Sequence, residues 1–402
     1  MTTSRINFFP KYMDKLQYSF LQIIRSAINQ SKIELDENID LDKLISIAKR
    51  HRITTMFFYG LINSGFNAND SKLQDLFMQA CRDVVINERQ QSELSKIIQS
   101  FEESNIDYIT LKGAELKSLY PKPEMRPMGD IDILIKVDQY EEIKKIMTRL
   151  GYSERDESNH EYIWSNAHCL IELHKFLIPS YNTDYFNYFG DGWRLGTEKC
   201  GSKYIMSKED NFIYLFTHFA KHYRDSGIGL RHIIDIWVYL NANDNLNMHY
   251  IGSEMKKLQL YDFFQNIIKT LNVWFGGEEP TNVTDFITEY IFGNGVYGTK
   301  NTHILAMALR DKKQKKSIKT IRLKKMFRSI FVSYKGMCKY YPFLTRFPLF
   351  LPIMWCVHLC KRVMTKNKIK QYGEDMQLIS EEKVSNYEKE LKFVGLNFNF
   401  GE

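Results

Sequence analysis

RPMGDIDILI, residues 126–135, sets two aspartates one residue apart in a run of isoleucine and leucine, directly after a Pro-Met-Gly break. The break reads as a loop and the apolar run as a buried strand, so carboxylates at its start need a reason. Residues two apart on a strand project to the same face, which puts Asp130 and Asp132 together and Ile131 and Ile133 opposite. Two carboxylates about 7 Å apart along a strand can share a divalent cation. Mg2+ (or Mn2+) takes a few carboxylate oxygens and completes its shell with substrate phosphates. A third carboxylate would complete a two-metal site, which activates an attacking hydroxyl and steadies the leaving oxygen of an in-line displacement. HCLIELHKF, residues 168–176, offers Glu172 between Ile171 and Leu173, with His174 on the same face. The alternative is that Asp130 closes the strand entrance against Arg126 while Asp132 and Glu172 lie on an exposed sheet edge.

Working outward, IDYITLKG (106–113) is a strand-like run ending in Lys112 and Gly113, followed by AELKSLY as a helix and PKPEMRPMG as a loop. A glycine at a strand-to-helix turn leaves backbone N–H groups able to cradle phosphate. DQYEEIKKIMTRLGY (138–152) predicts a helix stopped at Gly151, and YIWS and HCLIELHKF predict further strands. Residues 105–206 therefore read as a mixed α/β core. Before it, LDKLISIAKRHRI (41–53) and 72–103 carry apolar residues at helical spacing. After it come SKEDNFIYLFTHFAKHYRDSG and GLRHIIDIWVYLNA, both helical. The expected class is α+β: a small mixed sheet flanked by helical regions at 1–104 and 207–300, with a basic region at 301–402. On the helix read from about 207, His218, Lys221, His222 and Asp225 share one face. Zinc is disfavoured there, because Phe219 stands where a metalloprotease has its glutamate.

LKG, a helix, and then RPMGDIDILI resemble the nucleotidyltransferase fold of the DNA polymerase beta type, whose signature is hG[GS], a spacer and Dh[DE]h. The fuller string LKGAELKSLYPKPEMRPMGDIDILI, then ELH, HFAKH and GLRHIIDI, is similar to a little-characterised bacterial family within it. The chain also resembles the abortive-infection toxin nucleotidyltransferases, which place an Arg before DxD. The likeness spans about 40–240, with its specific part at 109–174. It implies that Gly113 is the glycine of the turn, that Asp130 and Asp132 are the metal pair and that Glu172 is the third carboxylate. Gly113 and Lys112 would then hold the triphosphate of an NTP. Ala114 stands where many relatives have a serine, so a hydroxyl contact to phosphate is missing. Arg126 either meets a phosphate or holds its loop through the aspartates. The likeness also implies that the later helices close over the nucleotide, making Lys221, His222 and Arg231 candidates for phosphate or base contacts. Against that stands a solvated helix face with an Arg231–Asp235 pair.

With 44% hydrophobic and 26% charged residues, the chain is neither disordered nor fibrous. Six cysteines without a CxxC pair read as reduced thiols, and a start without an export signal gives a cytoplasmic expectation. The net charge of +7 is uneven: residues 310–370 hold 18 Lys/Arg against Asp311 alone. That stretch adjoins FPLFLPIMWCVHLC (347–360), too short and too proline-broken to span a bilayer. It could rest on an anionic membrane surface, bind RNA, or present a solvated basic face on docked helices. Three functions are expected to compete: metal-dependent NMP transfer from an NTP to a small molecule, protein or RNA; a catalytically silent nucleotide- or RNA-binding module; and a membrane-surface adaptor.

Overall fold

The computed structural model describes residues 13–36, 38–295, 298–314, 316–363 and 373–396, without the side chains of 197–200 and 362–363. These fall into two compact units, one drawn from 13–223, 227–298 and 394–396, the other from 224–226 and 299–393. The first opens with helices α1 (Lys15–Asn29), α2 (Leu41–Arg50), α3 (Thr54–Asn63) and the 30-residue α4 (Gln74–Glu103). A seven-stranded mixed sheet follows, in the order β3-β4-β5-β2-β1-β7-β6. Its strands are β1 (Tyr108–Thr110), β2 (Ile131–Ile135), β3 (Ser153–Glu157), β4 (Glu161–Ser165), β5 (Leu170–His174), β6 (Gly196–Cys200) and β7 (Lys203–Met206). β2 runs antiparallel to β1 and parallel to β5.

Alternation along β2 sorts the sheet into two faces. Ile131, Ile133 and Ile135, with Ile171 and Leu173 of β5, join a core with Ile97 and Phe101 of α4 and with Ile143, Ile146 and Met147 of α6 (Tyr140–Arg149). Each such side chain fully withdrawn from water contributes about 1.5–3 kcal/mol. α6 stops as expected: Gly151 takes φ +83° and Tyr152 N–H donates to the Met147 carbonyl, a left-handed helix stop. The opposite face carries Asp132 and Glu172. The unit is completed by α5 (Gly113–Leu116), α7 (Thr183–Phe189), α8 (Lys208–Asp225, to Tyr223 in this unit), α9 (Leu230–Ala242), α10 (Met248–Lys257), α11 (Tyr261–Leu271) and α12 (Asn282–Gly293).

The second unit is helical: α13 (Lys300–Lys313), α14 (Ile318–Ile330), α15 (Tyr334–Tyr340), α16 (Leu351–Val363) and a last helix, Glu381–Phe393. α13 packs on α14 and on the last helix, with Lys313–Glu388 at 2.7 Å and Lys312–Glu381 at 3.0 Å along the seam. Asp225, expected on the polar face with His218 and His222, instead accepts from Arg224 and from Arg310 at 2.7 Å in this unit. Among the described residues no helix is long and apolar enough to cross a membrane.

Candidate active site

In the parallel pairing of β2 and β5, Asp132 lies in register with Glu172 and Leu134 with His174, so both carboxylates and the imidazole share one face. Asp132 Oδ1 is 2.7 Å from His174 Nε2, and Glu172 Oε2 is 3.7 Å from the same nitrogen. One ligand atom from each of the three lies within 4.8 Å of the others. Asp130, half-buried, occupies the residue before β2. β5 and β2 are central strands, which rules out the exposed-edge alternative for Asp132 and Glu172.

Electrostatics separate the acids. Burial raises the Glu172 carboxyl, and Asp130 and Asp132 raise it further, to about 8. Asp132 is buried too, but the Lys112 ammonium and the His174 hydrogen bond outweigh desolvation and hold it well below the usual carboxylate range. The Lys112 Nζ–Asp132 Oδ1 distance is 3.1 Å. Lys112, expected to grip phosphate, thus sets its charge directly on a candidate metal ligand. Burial lowers its ammonium but Asp132 more than restores it, and the net shift is upward.

The loops around the site are held by specific clasps. Lys112 sits at φ +42°, ψ −107°, a conformation L-residues rarely adopt, and turns the chain from β1 into α5. At Gly113 a Cβ would lie 2.3 Å from Met128 Sδ and 2.8 Å from Arg126 Nη1, so any larger residue would have to push aside the Met128 side chain and the Arg126 guanidinium. Arg126 is buried and grips Asp235 of α9 through Nε at 2.8 Å and Nη2 at 3.0 Å, while Tyr120 donates to the same carboxylate at 2.6 Å. Asp235 therefore pairs with Arg126, not with Arg231, and Arg126 does not close the strand entrance with Asp130. Arg231 donates through Nη1 to the Pro127 carbonyl at 3.1 Å and also braces that loop. From α4, Gln90 donates to the Met128 carbonyl at 2.9 Å, and Asn87 and Gln90 receive the buried Lys117 ammonium at 3.0 and 2.9 Å.

Above the acids, α8 supplies Tyr214, whose buried hydroxyl lies beside the Lys112 ammonium and feels the charges of Asp132 and Glu172. One turn on, His218 Nε2 meets His222 Nε2 at 3.1 Å, and the His222 ring lies 6.1 Å from that of His232. Burial depresses all three imidazoles well below their usual range. His222 therefore offers a hydrogen bond, not a positive charge. Lys221 is half-buried, and its charge reaches His160. His174 Nδ1 is 3.1 Å from His160 Nε2, and Glu161 Oε2 lies 3.8 Å from each. Tyr214, His160 and Glu161 escape a motif search. The register of β4 against β5, Glu161 beside His174, is the signal that would have found the last two.

The donor set fits a hard divalent cation: clustered carboxylate oxygens, one of them pushed up by burial and by its acidic neighbours, with the buried Tyr214 hydroxyl nearby. Residues 37–276, more than half of the chain, match the model of a family described as uncharacterised nucleotidyltransferase. One solved structure, the solution structure of the antibiotic-resistance factor ANT(2'')-Ia, is 14% identical; the match covers 48% of this chain and 100% of that one, with a TM-score of 0.31. No curated protein matches. With the match running through both carboxylate strands and the helices above them, the chain belongs to this uncharacterised nucleotidyltransferase family.

Proposed function

We propose that the protein moves a nucleoside monophosphate from an NTP to an acceptor hydroxyl, releasing pyrophosphate, with Asp130, Asp132 and Glu172 as the carboxylates of a Mg2+ or Mn2+ site. The observation that carries this reading is the convergence of Asp132, Glu172 and His174 on one face of the β2–β5 pair beside Asp130, where burial first and the neighbouring carboxylates second lift Glu172 to about 8. A divalent cation held by these carboxylates would neutralise charge that develops on the phosphates. Glu172, once ionised, takes the proton from the acceptor hydroxyl as its oxygen bonds to the α-phosphorus. The bond from that phosphorus to the oxygen bridging to the β-phosphate breaks, and the electron pair leaves with pyrophosphate. Lys112 and Lys221 offer positive charge toward the phosphates, and the Tyr214 hydroxyl offers a donor. Arg126 and Arg231 act one step back, by fixing the loop at 126–130.

A silent nucleotide-binding module has two observations in its favour: Lys112 and His174 both occupy Asp132 Oδ1, and Ala114 offers no hydroxyl to phosphate. Incubation with α-labelled NTPs, Mg2+ or Mn2+ and a cell extract separates the two. Label moved to an acceptor with pyrophosphate release, and lost with EDTA, is expected for the enzyme. Metal-dependent NTP binding without labelled product is expected for the module.

A further inference from the structure

The second unit carries an exposed apolar surface set among basic residues. Thirteen of the 23 large apolar side chains exposed among the described residues fall within 323–359, under a tenth of the chain. The same stretch, widened to 318–363, has ten Lys/Arg and no acidic residue. It is one folded body: the Trp355 indole donates to the Val332 carbonyl at 2.8 Å, Phe331 packs edge-on to Trp355 at 5.1 Å, and Met337 and Leu344 are buried beneath. At its tip Leu349 is 91% exposed, held between Pro348 and Phe350, with Phe347 and Ile353 also projecting. A monomer in water gains nothing from holding such side chains out, and a patch of this kind marks an interaction site.

We infer that residues 323–359 seat the protein on an anionic bilayer surface, with Phe347, Leu349, Phe350 and Ile353 entering the interface and the surrounding lysines and arginines meeting lipid phosphates. Charge and shape select this occupant. A second copy would set two like-charged surfaces against each other, since of the ten basic residues Lys324 and Lys325 meet Asp311 and Asp375 of their own unit and the stretch itself carries no acid. Nucleic acid would satisfy the charge but has no use for an aliphatic tip such as Leu349 and Ile353. A headgroup layer over acyl chains takes both at once. α16 is too short to cross, so the mode is surface attachment.

The test is sedimentation of the full chain with vesicles of 70% phosphatidylcholine and 30% phosphatidylserine against pure phosphatidylcholine. Binding to the anionic vesicles alone is expected, weakened when salt rises from about 0.1 M to about 1 M and the screening length falls from ~10 Å to ~3 Å. The Leu349→Asp,Ile353→Asp variant should bind about tenfold or more weakly with its circular dichroism unchanged, since both side chains already face solvent. The inference is overturned if neither vesicle binds, if both bind equally, or if the variant binds like the parent. Retention by RNA without anionic vesicles, or a dimer abolished by the variant without vesicle binding, overturns it as well.

Discussion

Asp130 and Asp132 were legible together in the sequence because strand alternation fixes which side chains share a face, and Glu172 because a lone acid in an apolar strand has few other uses. What alternation could not give is their different burial. Asp132 is enclosed by Lys112 and His174, whereas Asp130 is half-buried. Asp132→Asn therefore leaves the Lys112 ammonium enclosed without its counter-charge, and should cost about 3–5 kcal/mol of stability along with activity. Asp130→Asn should leave the urea midpoint unchanged, and equal midpoints for the two variants would contradict the different burial. Glu172, pushed up to about 8, holds its proton at neutral pH without a cation, so a Mg2+ ion bound there as proposed would release that proton. Titration calorimetry at pH 7 in buffers of different ionisation enthalpy should show about one proton released, and none in Glu172→Gln. No release in the parent would mean that Glu172 is not a ligand.

At the scale of elements, the strands and helices that carry the motif were legible and the sheet's margins were not. β3, Ser153–Glu157, is an exposed polar edge without apolar alternation, and β7 is held to β1 by the distant pairing of Tyr108 with Lys203, which no local pattern reports. The clasp between the 121–130 loop and α9 was hidden for the same reason: Arg126 and Asp235 lie 109 residues apart. Asp235→Ala should leave a buried guanidinium and the Tyr120 hydroxyl unmet and lower the unfolding free energy by about 3–5 kcal/mol. A urea midpoint equal to the parent's would show that the loop is held by other means.

Across the whole molecule, the basic excess was visible as a charge count, but its coincidence with exposed apolar side chains needed the fold. Within the sheet-containing unit, His51 ties α2 to α9 by accepting the Leu230 N–H at 3.2 Å, and burial holds its imidazole down at about 4. The unfolded chain takes that proton near 6.5 and the folded one resists it. The stability is complete above pH 6.5 and is lost as pH falls toward 4, amounting to about 2 kcal/mol by pH 5. His160, His218, His222 and His232 shift in the same direction and steepen the loss. A urea midpoint as high at pH 5 as at pH 7.5 would contradict this. The most direct test of the catalytic account compares the parent with Asp130→Asn, using NTP labelled at the α- or the γ-phosphate, Mg2+ and acceptor-containing extract. The account predicts that α-label, never γ-label, enters product with release of pyrophosphate. Loss of an outer-shell partner of a metal costs about 10–100-fold, so loss of a ligand in Asp130→Asn should cut the rate at least about 100-fold. Transfer of γ-label, or α-label transfer undiminished in Asp130→Asn, would contradict it.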